Sequence, residues 1–320
     1  MEDYRSVERE LRGEIMRTDV FVRLVSGSRD ERRMSRDLAD VFVSFRDVEQ
    51  RFGRFDPESE LSRFNAGSNR RPSSEFRRLL ADSFSYYRET EGLFDPAILP
   101  SLESEGYVGS FGTEAFGIPG ERGAVAPFRF GDIVLREDGE VRVPDGIRID
   151  FGGIAKGYAV DRAACLLRER GYTDFLIDAG GDMFAAGGDA EKGNPYWAID
   201  VADPVGRSGS AALLILSDRA VATSGTDRRR WTTVDGRVRH HLIDPRTGKS
   251  AETDIVSATV VAESVVRAET FAKSLCILGS SEAEPFARRH ALPMFLVTDD
   301  GRTMYNDLMK PYVYAETDEK

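Results

Sequence analysis

Cysteine and histidine are both scarce in this 320-residue chain, which contains two cysteines and three histidines. Cys165 and Cys276 each lie among apolar residues of a predicted helix. Disulfide, zinc and thiol-redox roles are therefore poorly supported, and we expect both side chains to pack in the core. Because histidine is the usual base near neutral pH, any chemistry of that kind is confined to a few positions.

Positive charge is also in deficit. The sequence has 44 lysines and arginines against 55 acidic residues, a formal net charge of −11 and a pI of about 5.0. A protein that binds the phosphate backbone of nucleic acids generally carries the opposite balance, so we expect no nucleic-acid partner. Any site for an anion must be local.

Long apolar runs are missing as well. The stretch AALLIL at 211–216 is typical of the longest ones, and a membrane span needs about 20 such residues. The N-terminal sequence MEDYRSVERELRGEI is densely charged, with neither the apolar core of a secretory signal nor an acceptor cysteine for lipid. We therefore expect no membrane span, and a cytoplasmic protein unless a leader precedes this sequence.

The pattern of apolar residues predicts both strands and helices. Residues 18–25 (TDVFVRLV) predict a strand and residues 31–52 an amphipathic helix, whereas 94–131, rich in Gly, Pro and Ser, predicts a long ordered loop. Later strands come in adjacent pairs, with hairpin turns expected at the Asp-Gly pairs 138–139 and 235–236. Because helices are interspersed without strict alternation, the sequence favours an α+β sheet-and-helix fold with several β-hairpins.

The stretch DFGGIAKGYAVDRA (150–163) joins a predicted strand to a predicted helix. It lacks the spacing of a P-loop and of a dinucleotide fingerprint. Its glycines let the backbone approach an anion, the first N–H groups of a helix point outward, and Lys156 adds a positive charge. The stretch therefore indicates an anion site, with a plain turn and a solvated lysine as the alternative.

Two further stretches carry small or polar groups beside glycine. IDAGGDMFAAGG (177–188) places Asp178 and Asp182 around a Gly-Gly pair, which could clasp a polar ligand. VATSGTDRRRW (221–231) has a Thr-Ser-Gly run after a predicted strand, followed by three arginines. Taken singly, the first part is more often a turn, and the arginines more often a solvated edge that discourages strand pairing.

HHLIDPRTG (240–248) holds two of the three histidines next to Asp244, Arg246 and Thr247. A base for catalysis near neutral pH would most simply be one of these histidines, since His290 resembles a helix-end residue. The alternative is a tight turn after a strand, with both histidines packed on a sheet face.

Taken together, these blocks resemble the FAD:protein FMN transferase family, the ApbE-type flavin transferases. RFDPESELSRFN, GLFDPAI, DFGGIAKGYAVDRA with DAGGD, VATSG and HHLIDPRTG follow in the family's order over about 16–305. The resemblance implies an ApbE-like, T-fold-related architecture. It divides the chain into a charged extension (1–15), a single flavin-transferase-like domain (16–314) and a tail (315–320).

The resemblance also implies an activity. The family transfers the FMN part of FAD to a threonine or serine hydroxyl of an acceptor protein and releases AMP, usually with magnesium. The expected partners are therefore FAD and a protein with an exposed Thr or Ser. An FAD pyrophosphatase that uses water in the same site and a non-catalytic FAD-binding protein are the alternatives.

Roles for individual residues follow from the resemblance alone. His241 matches the base for the acceptor hydroxyl, and the Gly153 carbonyl and Glu269 match metal ligands. The residues that match FAD-contacting positions come from every block: Met16, Phe55, Phe94, Asp95, Asp150, Lys156, Asp182, Thr223, Ser224, Gly225, Ile243, Asp244 and Arg246.

The sequence departs from the common family form at three places. The usual Met-Gly-Thr is Met-Arg-Thr at 16–18, and a usual tyrosine is Phe55. Where the family has an aspartate and, four residues later, a threonine for magnesium, this chain has Glu269 and Lys273. A charged lysine has no lone pair for a metal. We expect Lys273 to bring its own charge to the pyrophosphate as a catalytic group, oriented by Glu269; a surface salt bridge is the alternative.

Overall fold

The computed structural model describes residues 7–27, 30–109, 129–189, 193–206, 209–233 and 236–316. The helices are α1 (Glu31–Phe52), α2 (Glu60–Asn65), α3 (Ser74–Glu89), α4 (Leu99–Ser104), α5 (Ala155–Glu169), α6 (Val265–Leu278) and α7 (Ser280–Arg289). The first strands are β1 (Val7–Ile15), β2 (Thr18–Ser26), β3 (Val134–Leu135), β4 (Val141–Arg142), β5 (Asp174–Ala179), β6 (Asp182–Ala186), β7 (Trp197–Ala202), β8 (Ser210–Leu216) and β9 (Arg219–Gly225). The remaining strands are β10 (Arg230–Thr232), β11 (Val238–His240), β12 (Ile243–Asp244), β13 (Lys249–Ser250), β14 (Ile255–Ala262), β15 (Met294–Thr298), β16 (Thr303–Tyr305) and β17 (Val313–Glu316).

Eight strands form the main sheet, in the order β1-β2-β5-β6-β9-β14-β15-β16. Every neighbouring pair is antiparallel, with β9 and β14 in register from Ala220↔Ala262 to Gly225↔Ser257. A second sheet has the order β17-β8-β7, and three short hairpins complete the strands. The mixture of helices with antiparallel sheets confirms the expected α+β class.

The main sheet lies between two layers. Helices α1, α5 and α6 pack against one face, and the sheet β17-β8-β7 packs against the other. Alternation along β9 shows this directly, because Ala220 and Ala222 belong to the core on the helix side while Val221 belongs to the core on the other side. Among the described residues, no helix is both long and apolar enough to cross a membrane.

Several local predictions hold. The strand at 18–25 is β2, and the amphipathic helix at 31–52 is α1, which begins where the Asp30 carboxylate accepts from the Arg33 N–H at 3.0 Å. The hairpin with its turn at 138–139 is β3-β4. The second hairpin is β10-β11, although Asp235 at its tip lies outside the described residues.

Other expectations differ from the structure. Residues 7–15, set apart above as part of the charged extension 1–15, form the edge strand β1, in which charged residues outnumber the apolar ones. The stretch 94–131 was predicted as a loop but contains α4, and its residues 110–128 lie outside the described part. Strand β17 enters the expected tail at 315–316. Cys276 is buried as predicted, whereas Cys165 is exposed, so its core role was wrong.

Candidate functional site

A cleft of about 800 Å³ opens at the end of the main sheet where β6, β9 and the start of α5 meet. That volume lies near the upper end of small-molecule sites, about 300–1,000 Å³. The cleft brings together nearly all of the residues singled out from the sequence: Met16, Phe55, Phe94, Asp95, Asp150, Gly153, Lys156, Asp182, Thr223, Ser224, Gly225, His241, Ile243, Glu269 and Lys273. Asp244 and Arg246 are not among its lining residues.

The strand-to-helix corner at 150–157 forms one wall of the cleft. The Asp150 carboxylate accepts from the Gly152 N–H at 2.9 Å and lies 3.7 Å from the Arg54 guanidinium. This carboxylate therefore holds the Gly-Gly turn that precedes α5. The turn places Lys156, in the first turn of α5, inside the cleft.

Helices α5 and α6 approach closely at Gly157. A Cβ atom there would lie 2.9 Å from the Val266 nitrogen and 3.0 Å from the Glu269 carboxylate. Since glycine leaves that space free, the Gly157 N–H donates to Glu269 Oε2 at 2.9 Å. Asp161 fixes the same contact from the other side, because its carboxylate accepts from the Val265 and Val266 N–H groups at 2.8 and 3.0 Å.

Four charged side chains meet at this contact, and we call them the lysine centre: Lys156, Asp182, Glu269 and Lys273. Lys156 Nζ forms ion pairs with Asp182 and, at 3.3 Å, with Glu269 Oε1. Lys273 Nζ lies 3.8 Å from the same Glu269 oxygen and donates to the Gly153 carbonyl at 3.1 Å. Two cations thus share one carboxylate at the base of the cleft.

Burial dominates the electrostatics of the lysine centre. It lowers the pKa of Lys156 and of Lys273, and the attraction of Glu269 does not fully offset it. Burial alone would raise the pKa of Glu269, but the two lysines and the Gly157 N–H lower it instead. Glu269 is therefore ionised. For both lysines, the charged form is less stable in the cleft than it would be in water.

His241 lies at the edge of the same cleft. Burial, followed by repulsion from Arg229, Lys273, His240 and Lys156, lowers its pKa well below the usual 6.5. The ring is therefore neutral at pH 7, and its Nδ1 atom has no hydrogen-bond partner within the described part of the chain. His240 differs, since its Nε2 pairs with the Ala251 carbonyl at 3.0 Å. His290, as expected, ends helix α7.

The end of β9 supplies small polar groups to the cleft. Thr223 Oγ1 and Thr259 Oγ1 are 2.8 Å apart, and the Ser224 carbonyl accepts from Cys276 Sγ at 3.2 Å. Gly225 completes this edge, where a Cβ would meet Asp227 Oδ1 at 2.4 Å.

Arg229 was missed by the sequence reasoning. It belongs to the arginine run interpreted above as a solvated edge, yet it lines the cleft and lowers the pKa of Lys156, His241 and Lys273. Arg228 lines the cleft as well, and Arg229 has a positive φ of 49°, which the sequence does not reveal.

At its mouth the cleft is bounded by the β1–β2 turn. Met16 and Arg17 both have positive φ, 56° and 57°, and Met16 N–H donates to Glu49 Oε1 at 2.9 Å. The Arg17 and Arg54 guanidinium carbons lie 4.6 and 4.4 Å from the centre of the Phe55 ring. Arg17 thus has a left-handed backbone conformation, which is more usual for glycine, in the tight turn between β1 and β2. Its guanidinium covers an aromatic ring in the cleft.

Phe94 and Asp95 line the cleft beside the glycine corner, where a Cβ on Gly153 would lie 3.5 Å from Phe94 Cε2. Asp95 accepts from the Ala97 and Phe130 N–H groups at 2.7 and 3.4 Å, and burial raises its pKa to about 6. Its side chain is thus occupied in holding the loop, which keeps Phe94 in place against the cleft.

Ile243, Asp244 and Arg246 form the tight turn after the second histidine. Ile243 is buried beside Tyr107 and Trp231 and reaches the cleft. Asp244 and Arg246 pair with each other through two hydrogen bonds of 2.9 Å, and half of the Arg246 side chain is exposed. These two residues shape the turn instead of lining the cleft.

The fold and the site together define a class. An antiparallel sheet covered by helices carries one cleft that combines a glycine corner, two lysines and a neutral histidine, which is an arrangement suited to an enzyme with a small-molecule substrate. The chain belongs to the ApbE family, whose model matches residues 16–296.

Curated relatives carry the name FAD:protein FMN transferase. That of Haemophilus influenzae is 25% identical over 304 residues, covering 91% of this chain and 87% of the relative. That of Vibrio cholerae is 28% identical over 279 residues, with coverages of 83% and 81%. The match to the Salmonella typhimurium relative is 30% identical over 174 residues, and it spans about half of that protein's length, 47%.

Solved structures agree over the whole fold. The ApbE protein of Thermotoga maritima superimposes with a TM-score of 0.85 at 25% identity, covering 97% of this chain and all of that one. The flavinyl transferase ApbE of Pseudomonas stutzeri gives 0.84 at 24% identity, with coverages of 99% and 100%. The expected ApbE-like architecture is confirmed.

Proposed function

We propose that this protein transfers the FMN moiety of FAD to a threonine or serine hydroxyl of an acceptor protein and releases AMP. The observation that carries the proposal is the convergence of Lys156, Lys273 and His241 on one cleft. Family membership and the names of the relatives support the same reaction.

The lysine centre is the proposed site of the FAD pyrophosphate. Burial and, after it, repulsion from Arg229 lower the pKa of both Lys156 and Lys273, so an added negative charge would stabilise their charged forms. A pyrophosphate would supply the missing negative charge, and it would do so where charge develops during the reaction. The Gly-Gly corner beside Asp150 would let the backbone approach the same group.

The transfer itself needs one base. The acceptor hydroxyl oxygen attacks the phosphorus of the FMN phosphate, the bond from that phosphorus to the bridging oxygen breaks, and AMP leaves with that oxygen. His241, neutral and with Nδ1 unpartnered within the described residues, takes the hydroxyl proton. No covalent enzyme intermediate is required.

The flavin ring would lie toward the mouth of the cleft. Met16, Phe55, Phe94 and Ile243 offer an apolar surface there, and Thr223, Ser224 and Gly225 offer small polar groups near the sheet. Asp95, Asp182, Asp244 and Arg246 would act on FAD indirectly. Asp182 and Asp95 hold neighbouring groups, and the Asp244–Arg246 pair holds the turn that carries His241 and Ile243.

Magnesium does not fit the residues that would be its ligands. The Gly153 carbonyl already accepts from the Lys273 ammonium, and Glu269 is shared by two lysines and a backbone N–H. Within the described ranges, no three His, Cys, Asp or Glu side chains form a group that could hold a metal.

A single incubation tests the proposal. The protein is mixed with FAD and a candidate acceptor that has an exposed threonine, and the products are separated on a denaturing gel and by chromatography. A fluorescent covalent band on the acceptor, together with AMP, is expected. AMP with free FMN would instead indicate a pyrophosphatase, and intact bound FAD a binding protein. A His241→Gln variant is the matched control, because it should retain FAD binding and lose the band.

A further inference from the structure

We infer that the Lys273 ammonium takes the place of a divalent cation in this protein, so that FMN transfer proceeds without magnesium. The inference rests on the proposed function, because it concerns how the same cleft neutralises the pyrophosphate. The relevant observations are where Nζ lies, what it displaces, and how much charge surrounds it.

The first observation is the position of the ammonium. Nζ of Lys273 lies 3.1 Å from the Gly153 carbonyl oxygen and 3.8 Å from Glu269 Oε1, the two oxygens that the family resemblance assigns to a metal. Mg²⁺ requires oxygen ligands at about 2.0–2.1 Å in near-octahedral geometry. An ion at that distance from both oxygens would need the space that the ammonium occupies.

The second observation is that the backbone makes room for this lysine. A Cβ atom on Gly153 would lie 2.6 Å from Lys273 Nζ, a distance that real Cβ atoms essentially never show, and 3.2 Å from its Cε, which is a tight contact. The ammonium is therefore packed into the glycine corner as part of the wall. Only 16% of the Lys273 side chain is exposed, which argues against a solvated surface salt bridge with Glu269.

The third observation is the balance of charge. Lys156, Lys273 and Arg229 bring three positive charges near Glu269 and Asp182, and the Asp150 and Asp178 carboxylates also act on Lys273 and Lys156. A divalent cation added here would stand beside three like charges, with both of the nearest carboxylates already paired. A pyrophosphate oxygen, in contrast, would give the Lys273 ammonium a negatively charged partner of its own, which the Gly153 carbonyl and the shared Glu269 carboxylate do not provide. The base of the cleft thus presents fixed cations before any ion binds.

Lysine also explains why glutamate replaces the shorter aspartate. Glu269 reaches two ammonium groups and the Gly157 N–H at once, so it orients Lys156 and Lys273 toward the cleft without contacting the ligand. Glu269 is a positioning residue in this arrangement, and Lys273 is the group that meets the phosphate.

The test compares the unaltered chain with Lys273→Met and Lys273→Thr. AMP release from FAD is measured with the threonine-bearing acceptor, once in EDTA and once with added Mg²⁺. The unaltered chain is expected to turn over equally, within a factor of two, in both conditions. Lys273→Met should lose roughly 10²–10³-fold in both, because its charge is gone and a thioether cannot replace it. Thermal melting shows whether each variant is folded.

Metal binding supplies a readout that does not depend on turnover. Lys273→Thr frees the Gly153 and Glu269 oxygens and adds a hydroxyl, so it should bind Mn²⁺ at least tenfold more tightly than the unaltered chain in an electron paramagnetic resonance titration. If the unaltered chain binds Mn²⁺ as tightly as Lys273→Thr, the inference is overturned. It is equally overturned if EDTA lowers turnover of the unaltered chain more than tenfold and Mg²⁺ restores it.

These outcomes separate the two proposals. Turnover that requires magnesium would leave the transferase proposal intact and reject the role of Lys273. An unaltered chain that produces neither AMP nor flavinylated acceptor in either condition would reject the transferase proposal, while the Mn²⁺ titration would still decide whether Lys273 occupies the cation position.

Discussion

Two clusters of charged side chains in this protein have opposite character. The lysine centre combines two cations and two carboxylates at the base of the cleft. A second cluster, which we call the arginine network, combines Asp47, Arg51, Glu75 and Arg162 on α1, α3 and α5, and Glu60 adds a third carboxylate 3.3 Å from Arg51. Each arginine contacts both Asp47 and Glu75 at 2.6–3.3 Å, so these four side chains form a closed ring of ion pairs.

The lysine centre is an open ring. Lys156 contacts both carboxylates, but the partners of Lys273 are Glu269 and a backbone carbonyl. The pKa values record the difference. For Arg51, burial opposes the charge but the attraction of Glu75, Asp47 and Glu60 outweighs it, and the pKa rises. For Lys273, burial wins and the pKa falls. The arginine charges are satisfied within the protein, whereas Lys273 has only a shared carboxylate as a charged partner and can pair with an anionic ligand.

The largest expected effect separates the two clusters by function. Lys156→Met should lower FMN transfer by roughly 10²–10³-fold, because the charge that faces the pyrophosphate is lost. Arg162→Met, which opens the arginine network, should leave the rate within a factor of two. Rates are measured from AMP release in both variants. Equal losses in the two would mean that the contrast between the clusters is not functional.

The next effect concerns the base. His241→Gln should reduce transfer by about 10²–10⁴-fold while FAD affinity, read from flavin fluorescence, changes little. Replacing His240, whose Nε2 is already paired, should cost far less. A loss of FAD binding in His241→Gln that matched its loss of rate would assign the ring to binding.

Stability should show the same order as activity, because the lysine centre is the more deeply buried cluster. Glu269→Gln leaves two buried lysines with one carboxylate fewer and should cost about 3 kcal/mol of unfolding free energy. Glu75→Gln, in the half-exposed arginine network, should cost no more than about 1 kcal/mol. Urea denaturation of both variants measures the difference. Equal costs would show that burial does not distinguish the two clusters.

The pH dependence sharpens the role of the cations around His241. The neutral ring is the active form, and its pKa in the free protein lies well below 6.5, so kcat/KM should stay level as pH falls through 6.5. Arg229→Gln removes the first of the repelling charges and should move the acid limb upward. A limb of the unaltered protein centred at 6.5 would contradict the assigned environment.

The smallest expected effect is on stability, and it distinguishes backbone strain at Arg17 from the loss of the Arg17 charge. Arg17 has a φ of 57°, which asparagine tolerates and a β-branched residue does not. Arg17→Asn and Arg17→Val both lose the contact with Phe55, yet the Asn variant should be more stable by about 1 kcal/mol. Thermal or urea melting of the pair measures this difference, and equal stabilities would mean that the turn relaxes.

Sequence indicated most of the fold because its signals are local. The periodicity of α1 and the alternation in β2 can be read from neighbouring residues, and both elements were predicted close to their observed bounds. Strand β1 was missed because an edge strand covered with charged residues has little apolar signal. The order of strands in the main sheet depends on contacts between distant residues, which no local pattern specifies.

The site divides in the same way. Lys156, Asp182 and His241 belong to sequence motifs, and these motifs predicted them as site residues before the structure was considered. Arg229 has no motif and enters the cleft through an unusual backbone conformation, so sequence reasoning placed it on the surface. The sequence shows that Lys273 stands where the family has a threonine, but only the structure shows that its ammonium contacts the Gly153 carbonyl.

A crystal structure with FAD bound would test the central claim most directly. The open ring of the lysine centre predicts that the FAD pyrophosphate oxygens lie within hydrogen-bonding distance of Lys156 and Lys273, with His241 on the side from which an acceptor hydroxyl would approach. FAD bound with its pyrophosphate in solvent, and both lysines still paired only with Glu269, Asp182 and Gly153, would contradict it.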